Sequence, residues 1–509
     1  MEKNVAIIDL GSNSIRMNII AINKNGGYSI HEQASEMVRL SEGMGKNLTL
    51  KEIPIQRTLS ALRYFKKMLT LYDTKEVYAL ATAAVRMATN QLEFLERVEA
   101  ETCFVFTVLS GFQEAYYDYL GVVNAMALDD ALILDIGGGS TELVWMHKRQ
   151  MVEAISLPLG SVTLTERFAD IKSKKKRIEA CKKAIHEQLD TLSWLKDLKG
   201  KPIIGLGGVI RTLGKLDKGI NGYSIDNLHN YRLHESEVEK LCSMILESDE
   251  KDLDKLEGIS KRRADIITMG IMPFKCLFER IESPEIRISA NGLREGYFYE
   301  KHFESIHMPV VVQDVLKHSK DNFLKRFVVN EPHARKVQSI ALQLYDRLNR
   351  HSIENGLAYF RVDDRKLLST AALLHDIGIH IEYYDHHVHG FYLILNGRID
   401  GLTNTERLAV AYLVGSHREV GIKNRMTEFE NILSKSEINR LGRLVVLLNI
   451  AEQLDRTERG LIKEFKFEIV DKSMNLLLTS DEDTSIERIS ALRLADRFEK
   501  QFDLRFNIV

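Results

Sequence analysis

The sequence predicts an α/β fold for the N-terminal half of the chain, followed by an all-α domain and a small α+β tail. Three observations favour this organisation: a glycine-turned β-unit that occurs twice, strands that alternate with helices around both copies, and a change to helix-only periodicity from about Gln313. Strand–helix alternation is typical of α/β proteins. A chain of 509 residues is also long enough for several domains.

The repeated unit is the strongest of these observations. Each copy has an apolar run with an aspartate near its end, a turn of glycine and small polar residues, and a second apolar run. The segments are Val5–Leu10, Gly11–Ser14 and Ile15–Ile22 in the first copy, and Ala131–Ile136, Gly137–Ser140 and Thr141–Met146 in the second. Each copy predicts two strands joined by a tight turn. Two copies separated by the length of a subdomain predict two similar lobes that face each other.

The rest of the N-terminal half supplies the alternating elements of these lobes. The predicted elements are helices at Ile55–Tyr72, Gln91–Glu101, Gln113–Ala127 and Lys172–Leu195, a strand at Glu76–Ala81, and a strand with a glycine turn at Pro202–Val209. We therefore expect lobe I at residues 1–125 and lobe II at residues 126–308.

The C-terminal part changes character twice. Heptad-like apolar spacing predicts helices alone in a domain at 309–460. A small α+β domain is then expected at 461–509. Its predicted elements are strands at Phe465–Val470, Met474–Thr479 and Leu504–Val509, and a helix at Ile486–Phe502.

Composition excludes several classes of protein. The formal net charge of −2 argues against a generally basic nucleic-acid coat, and 28% charged with 8% aromatic residues argues against bulk disorder. No apolar stretch approaches the roughly 20 residues that cross a bilayer. Four widely spaced cysteines without a CxxC pair are typical of reduced thiols. We expect a cytoplasmic protein that binds neither nucleic acid nor membrane.

The glycine turns are candidate phosphate sites. A turn of this kind directs successive backbone N–H groups at an anion, and a carboxylate at the end of the strand beside it, Asp9 or Asp135, can hold a divalent cation or a water. One such turn alone is more often an ordinary hairpin. Two turns, with a third at Gly205–Gly208, favour phosphate binding instead. The candidate phosphate-binding residues are Gly11, Ser12, Ser14, Gly137, Gly138, Gly139, Ser140, Thr141, Gly207 and Gly208.

Six ordered segments carry a resemblance to a known family. DLGSNSIR (Asp9–Arg16) and DIGGGSTE (Asp135–Glu142) resemble the two phosphate loops of the actin-like (ribonuclease H-like) ATPase superfamily, and more narrowly those of the Ppx/GppA family. The other family-like segments are ATAAVRMATN (Ala81–Asn90), SGFQEA (Ser110–Ala115), GLGGVIRTL (Gly205–Leu213) and NGLREG (Asn291–Gly296). The resemblance spans roughly residues 3–300 and implies a two-lobed actin-like fold.

The resemblance also implies hydrolysis of a terminal phosphoanhydride with Mg²⁺ or Mn²⁺. In the family, the glutamate of the SGxxEA segment orients or deprotonates the attacking water, and this role falls on Glu114. Asp135 and Glu142 match positions of the metal and phosphate site, which Asp9 would join. Asn13 and Arg86 match positions linked to phosphate or metal contact, and Arg86 can neutralise phosphate charge. Family members often carry a second acidic residue where this chain has Gln113.

A second cluster of candidate ligands lies in the helical domain. His333, the adjacent His375 and Asp376, and a later carboxylate resemble the HD superfamily of metal-dependent phosphohydrolases. The resemblance implies a second metal, with either Glu452 or Asp455 as the closing ligand. The alternative is an HD-like fold with a broken metal site, kept for substrate tethering or dimer contact.

Basic residues could retain a polyanion, although a solvated helix face is the commoner role of such runs. The candidates are Lys172, Lys174–Arg177, Lys182, Lys183 and Lys261–Arg263 in the first half, and Arg335, Lys336, Arg418, Lys423, Arg425, Arg440 and Arg443 in the second.

The expected function is that of an exopolyphosphatase that releases orthophosphate from inorganic polyphosphate. The alternatives are a guanosine pentaphosphate (pppGpp) 5′-phosphohydrolase, a polyphosphate or alarmone sensor, and a sugar or acetate kinase on the same superfamily fold. The family resemblance further implies a homodimer.

Overall fold

The computed structural model describes residues 2–261, 263–327, 329–418 and 422–509. The chain forms two compact units: Met1–Gly222 with Asp226–Val315, and Tyr223–Ile225 with Leu316–Val509. The finer division into four domains stays a prediction. Within the described residues, no helix is both long and apolar enough to span a membrane.

The first unit alternates strands and helices, which confirms the predicted α/β class. Its strands are β1 (Lys3–Leu10), β2 (Ile15–Ile22), β3 (Tyr28–Glu36), β4 (Glu76–Ala81), β5 (Phe106–Val108), β6 (Ala131–Ile136), β7 (Thr141–His147), β8 (Gln150–Leu157), β9 (Ile203–Leu206), β10 (Tyr231–His234) and β11 (Glu285–Ile288). Its helices are α1 (Glu52–Leu71), α2 (Ala83–Met87), α3 (Gln91–Thr102), α4 (Gly111–Val123), α5 (Ser161–Arg167), α6 (Lys174–Leu189), α7 (Gly207–Asn221), α8 (Glu235–Glu247), α9 (Glu250–Leu253), α10 (Ala264–Gly270), α11 (Met272–Arg280) and α12 (Leu293–Ser305).

Two mixed sheets carry the internal repeat. Their strand orders are β3-β2-β1-β4-β5 and β10-β11-β9-β6-β7-β8. In each sheet the first strand of the repeat pairs with an antiparallel hairpin strand on one side and a parallel strand on the other. The turns also close alike, because Gly11 N–H donates to Ser14 O at 3.1 Å and Gly137 N–H donates to Ser140 O at 3.0 Å. The two glycine-turned units are therefore structural copies.

Helices α4 and α12 connect the two sheets of the first unit. Helix α4 belongs to predicted lobe I by sequence, yet it packs on β6, β7 and β8 of the second sheet, whereas α12 packs against β1 of the first. One apolar core joins strand residues of both sheets to these two helices, with Ile7, Ile133, Leu120 and Phe298 among its members. This exchange brings the start of α4 to the turns of the repeated units.

The second unit consists of helices and one small sheet. Its helices are α13 (Val315–Arg326), α14 (Glu331–Glu354), α15 (Asp364–Leu374), α16 (His386–Asn396), α17 (Asn404–Gly415), α18 (Lys435–Gln453), α19 (Ser485–Leu492) and α20 (Ala495–Phe502), and its strands are β12 (Glu464–Val470), β13 (Ser473–Thr479) and β14 (Arg505–Ile508). The predicted helix at Ile486–Phe502 is two helices, since the chain turns at Arg493 and Leu494. The tail shares one core with the preceding helices, as Leu344, Leu447 and Phe498 show.

Candidate active site

The turns of the two repeated units face each other across a cleft in the first unit. A methyl group added at Gly138 would lie 3.1 Å from Ser12 Cβ and 3.2 Å from Asn13 N. Most of the predicted site residues line this cleft: Asp9, Gly11, Ser12, Asn13, Ser14, Glu114, Asp135, Gly137, Gly138, Gly139, Ser140, Glu142, Gly207 and Gly208. The sequence repeat thus brings the two turns together.

Hydrogen bonds orient the peptide groups of the second turn. The carbonyl of Gly137 accepts from Ser161 N–H and that of Gly138 from Val162 N–H, both at 2.9 Å, and Thr163 Oγ1 donates to the carbonyl of Gly139 at 3.1 Å. Within the described chain, the N–H groups of Gly138 and Gly139 have no such acceptor. Because the carbonyls of this turn accept hydrogen bonds on one side, the N–H groups on the other side are left to bind an anion.

The third glycine segment is a strand–helix junction, so the prediction of a further turn there was wrong. Strand β9 ends at Leu206 and the 15-residue helix α7 begins at Gly207. Gly207 has φ +80°, and a methyl group there would lie 2.3 Å from Asp135 Oδ1, so only glycine fits. The junction therefore presents a helix N-terminus to the cleft, and such an end favours anions.

Glu114 reaches the cleft from the first turn of α4. Its side chain is buried, and Arg86 Nη1 donates to its Oε2 and to Leu109 O, the latter at 2.9 Å. Burial raises the pKa of Glu114 to about 7, although the charge of Arg86 acts against this shift. A carboxylate with a pKa near neutrality can accept a proton from water at physiological pH.

Gln113 has a structural role that explains the departure from the family segment. Its side chain accepts from Ser110 N–H at 2.9 Å, and Ser110 Oγ accepts from Gln113 N–H at 3.2 Å. This reciprocal pair is a capping box, in which glutamine serves as well as glutamate. Since Gln113 is exposed, the neighbouring Glu114 is the residue that faces the cleft.

Five carboxyl groups gather at this cleft, and we call them the cleft carboxyls. They are Asp9, Glu114, Asp118, Asp135 and Glu142. Burial raises the pKa of every one of them, and raises those of Asp118 and Glu142 well above the ordinary value.

Asp118 was missed by the sequence reasoning. It lies one helical turn after Glu114, and residues four apart share a helix face. The spacing of these two carboxylates was therefore a usable signal.

The donor set fits a hard divalent cation. Asn13 Oδ1, Asp118 Oδ1 and Asp135 Oδ1 are buried oxygens without a hydrogen-bond partner in the described chain. Oxygen ligands suit Mg²⁺ and Mn²⁺. Among the described residues, the groups of three ligands within 4.8 Å of one another both lie in the second unit. A cation in the cleft would therefore use one or two carboxylates and take further ligands from water and phosphate, as Mg²⁺ commonly does.

Arginines that the sequence reasoning did not select add positive charge to the cleft. Arg16 and Arg263 line it. The positive charge of Arg211 acts against the burial that raises the pKa of Asp135. Burial, followed by the charge of Arg16, lowers the pKa of Arg211 to about 9 and that of Arg263 to about 10. Arg263 belongs to the basic run noted in the sequence, whereas Arg262 lies outside the described residues.

Two predicted site residues do not line the cleft. Thr141 is fully buried and its hydroxyl donates to Leu159 O at 2.8 Å. This hydroxyl therefore links the start of β7 to the segment that follows β8. Arg86 holds Glu114, as described above, and acts on the site through that carboxylate.

The second unit brings three of the five predicted HD-like ligands together: His333, His375 and Asp376. Asp455 Oδ2 lies 2.8 Å from His333 Nδ1, behind the ring, and Glu452 lies beside Arg456 Nη1 at 3.4 Å. Although burial acts to lower it, the Asp376 carboxylate raises the pKa of His375 to about 9.

His386 and His417 complete a second group with Asp376, and the predicted ligand set did not include them. They lie 53 and 84 residues after His333 along the chain, so their proximity becomes visible only in the fold.

Most of the basic candidates in the second unit are engaged within that unit. Arg335 pairs with Glu331, Lys336 Nζ donates to Ile462 O at 2.5 Å, Arg440 pairs with Asp364, and Arg443 donates to Tyr359 O at 3.2 Å. The side chain of Lys423 lies outside the described residues. These contacts give the basic residues structural roles, so they do not support a continuous track for a polyanion.

Family comparisons agree with the geometry of the cleft. Residues 19–304 match the Ppx/GppA phosphatase family, and residues 315–496 match Ppx/GppA phosphatase, domain III. Two similar proteins, from Pseudoalteromonas atlantica and Pseudoalteromonas translucida, are both named guanosine-5′-triphosphate,3′-diphosphate pyrophosphatase. They are 27% and 28% identical to this chain over 94% of its length, and the matches cover 91% and 93% of their own lengths.

Solved structures support the two-lobed actin-like fold expected for the N-terminal half. A Ppx/GppA family member from Aquifex aeolicus is 31% identical with a TM-score of 0.51, over 60% of this chain and 99% of that one. An exopolyphosphatase from Cytophaga hutchinsonii is 23% identical with a TM-score of 0.56, over 61% and 100%. The second likeness concerns the fold alone. The HD-like nature of the second unit stays a prediction.

Proposed function

Since the chain belongs to the Ppx/GppA phosphatase family, we propose that it is an exopolyphosphatase that hydrolyses the terminal phosphoanhydride of inorganic polyphosphate. One observation carries the proposal: two glycine turns and the N-terminus of α7 meet at the same cleft as a buried carboxylate whose pKa is about 7. Phosphoryl transfer needs positioning, charge stabilisation and an oriented water, and these groups provide each of them.

The chain's own residues account for the steps of hydrolysis. The N–H groups of Gly138 and Gly139 and the start of α7 bind the oxygens of the terminal phosphoryl group. Glu114 accepts a proton from a water whose oxygen bonds to that phosphorus. The bond between the phosphorus and the bridging oxygen then breaks, and the shortened chain keeps its electron pair. Arg16 and Arg263 offset the charge of the departing chain.

A divalent cation would be held by Asp135 with Glu142 or Asp9, where it would neutralise phosphate oxygens. Arg86 keeps the carboxylate of Glu114 in position, because it donates both to that carboxylate and to the backbone at Leu109.

The second candidate substrate is pppGpp. The two relatives matched over more than nine tenths of their length are named for this activity. Removing its terminal 5′ phosphate is the same reaction with a different leaving group, so the cleft chemistry accommodates it equally.

The test is orthophosphate release from long-chain polyphosphate and from pppGpp by the purified full chain with Mg²⁺. A larger kcat/KM on polyphosphate supports the first proposal, and a larger value on pppGpp makes the second the main activity. Absence of release from both would overturn phosphoanhydride hydrolysis and favour a sensor. Transfer of phosphate from ATP to acetate or a sugar would instead favour a kinase. The homodimer and the cytoplasmic location remain predictions.

A further inference from the structure

The segment between β3 and α1 supports the first glycine turn, and we call residues 37–51 the connecting segment. Within it, Arg39 N–H donates to Asn13 O at 2.9 Å and Ser41 N–H donates to Ser12 O at 3.1 Å. The start of α5 does the same for the second turn, as described above. Each glycine turn therefore has its own supporting element, which binds its carbonyl groups.

Two contacts join the connecting segment to the elements beside the second turn. Arg39 Nη2 lies 3.0 Å from Asp265 Oδ2, in the first turn of α10. Gly43 N–H donates to Glu166 Oε1, near the end of α5, at 3.2 Å. Helices α5 and α10 pack against each other, so both contacts end on the same part of the first unit. The supports of the two turns are thus linked to one another.

The backbone of Arg39 has an uncommon conformation. Its φ is +46°, in the left-handed region that residues with a side chain seldom adopt. Such a conformation persists where the surrounding contacts fix it, and it often occurs at functional sites. The N–H of Arg39 binds Asn13 O and its guanidinium pairs with Asp265, so this one residue connects the first turn directly to α10.

Helix α10 also begins at the cleft. Arg263 lies directly before α10 and lines the cleft. Its guanidinium lies against the start of α7, because a methyl group added at Gly208 would overlap with it. The ion pair between Arg39 and Asp265 therefore ties the first turn to the element that carries an arginine of the cleft.

We propose that Arg39 and Glu166 are positioning residues for hydrolysis, which fix the two glycine turns relative to each other so that both act on one phosphoryl group. This inference rests on the function proposed for the cleft. There, the second turn and the start of α7 bind the phosphoryl oxygens, while Ser12 and Asn13 approach from the opposite turn. Without the linking contacts, substrate still binds at the second turn, but the first turn is misplaced in the transition state. Misplacement of this kind lowers kcat.

The exposure of the linking contacts sets the size of the expected effect. The side chains of Arg39 and Asp265 are 33% and 37% exposed, and Glu166 is exposed. Contacts in partial reach of water contribute modestly. Loss of one contact should therefore lower kcat about fivefold, whereas loss of a reacting group would nearly abolish turnover.

Steady-state release of orthophosphate by the full chain tests the positioning role. It is measured with Mg²⁺ on whichever of polyphosphate and pppGpp is the better substrate. Arg39→Ala and Glu166→Ala should each lower kcat about fivefold, while KM and Tm change little. Arg39→Lys and Glu166→Gln should restore most of kcat, because lysine keeps the charge and the glutamine oxygen can still accept from Gly43 N–H.

Arg57→Ala is the matched control. Arg57 lies on α1 and pairs with Glu42 of the connecting segment, with a side chain as exposed as that of Arg39. Its contact reaches neither α5 nor α10, so the control should keep the wild-type kcat. An equal loss of kcat in Arg57→Ala and Arg39→Ala would overturn the proposal.

A double-mutant cycle tests whether Arg39 acts through its ion pair. Once Asp265→Asn has removed the partner's charge, Arg39→Ala should cause little further loss of kcat. Losses that multiply in the double variant would show that the pair is not the link, and would refute the role of Arg39.

A distance measurement tests the link without any turnover. Spin labels are attached at Lys46→Cys in the connecting segment and at Asp170→Cys shortly after α5, two exposed positions, with Cys103→Ser to remove the exposed native thiol. Pulsed electron paramagnetic resonance should give a narrow distribution of distances for this labelled chain. Removal of either linking contact should broaden the distribution, and the control variant should keep it narrow.

The two readouts distinguish failure of this inference from failure of the proposed function. Distance distributions that are equal in all variants, or an unchanged kcat in both Arg39→Ala and Glu166→Ala, would refute the positioning role even if hydrolysis proceeds. If neither substrate releases orthophosphate, the proposed function fails. Broadened distributions would in that case still support the link between the two turns.

Discussion

Glu114→Gln isolates the proton-accepting role of the cleft. Glutamine has nearly the same shape as glutamate, and its carbonyl oxygen can still accept from Arg86, which also keeps its bond to Leu109 O. The variant therefore removes a base without opening a space. We expect phosphate binding to persist while turnover falls.

The size of the effect follows from the role of the group. General-base catalysis contributes about 10²–10⁴ in kcat, which is about 3–5 kcal/mol of the activation barrier. The pKa of Glu114 near 7 also sets a pH profile. The deprotonated fraction rises from about a tenth at pH 6 to about nine tenths at pH 8, so wild-type kcat should rise about tenfold over this window. The variant should lack this rise.

Steady-state orthophosphate release from pH 5.5 to 8.5 measures both effects. Gln113→Glu is the matched control, because it adds a carboxylate at the adjacent, exposed position and retains the capping box. It should keep wild-type turnover. Since the folded state of wild type ionises Glu114 only with difficulty, Glu114→Gln should be at least as heat-stable as wild type at pH 8. Near wild-type turnover in Glu114→Gln, or an unchanged pH profile, would refute the assignment.

Three further predictions concern the same cleft. Gly138→Val should raise KM at least tenfold, because even the Cβ of the new side chain would crowd Ser12 and Asn13. Gly219→Ala is the control, since its added methyl group would make only ordinary contacts and should leave KM unchanged. Equal KM values for the two variants would contradict this prediction. Asp118→Asn should raise Tm and lower kcat, because it replaces a buried carboxyl, whose ionisation burial opposes, with an amide that cannot ionise. Calorimetry and phosphate release test both signs. Because burial raises the pKa values of the cleft carboxyls, their protonated forms contribute stability at low pH, and this contribution is lost as the pH rises through the raised values. Mg²⁺ should therefore raise Tm more at about pH 8 than at about pH 5. An equal rise in Tm at the two pH values would contradict this prediction.

Local sequence signals predicted the elements of the cleft well. Strands β4 and β6 occupy the predicted ranges because each is an apolar run bounded by turn or polar residues. The two glycine turns were also predictable, because turns that approach each other closely need glycine and other small residues, and these are visible in the sequence. Glu114 was assigned through the family segment, and its burial agrees with that assignment.

Other features depend on contacts that a single sequence does not encode visibly. Helix α4 packs on the second sheet and α12 on the first, and neither placement follows from the order of elements along the chain. Asp455 and Asp376 look alike in sequence as candidate ligands, because their difference depends on which ring nitrogen of His333 each carboxylate faces. The proximity of His417 to Asp376, which lies 41 residues earlier in the chain, likewise becomes visible only in the fold.

The two repeated hairpins share a backbone but differ in charge, and this difference bears on how the cleft divides its work. Asp9 lies opposite Arg16 on the paired strand, whereas Asp135 lies opposite Glu142. Residues directly opposite on paired strands have Cβ atoms about 5 Å apart, so each interacts with its partner's charge. The first turn is therefore locally balanced and the second carries two carboxylates. A cation gains more at the second turn, and its charge would then draw phosphate oxygens towards the N–H groups of Gly138 and Gly139. The repeat explains the shape of the cleft, while the single exchange of arginine for glutamate makes its two sides chemically unequal.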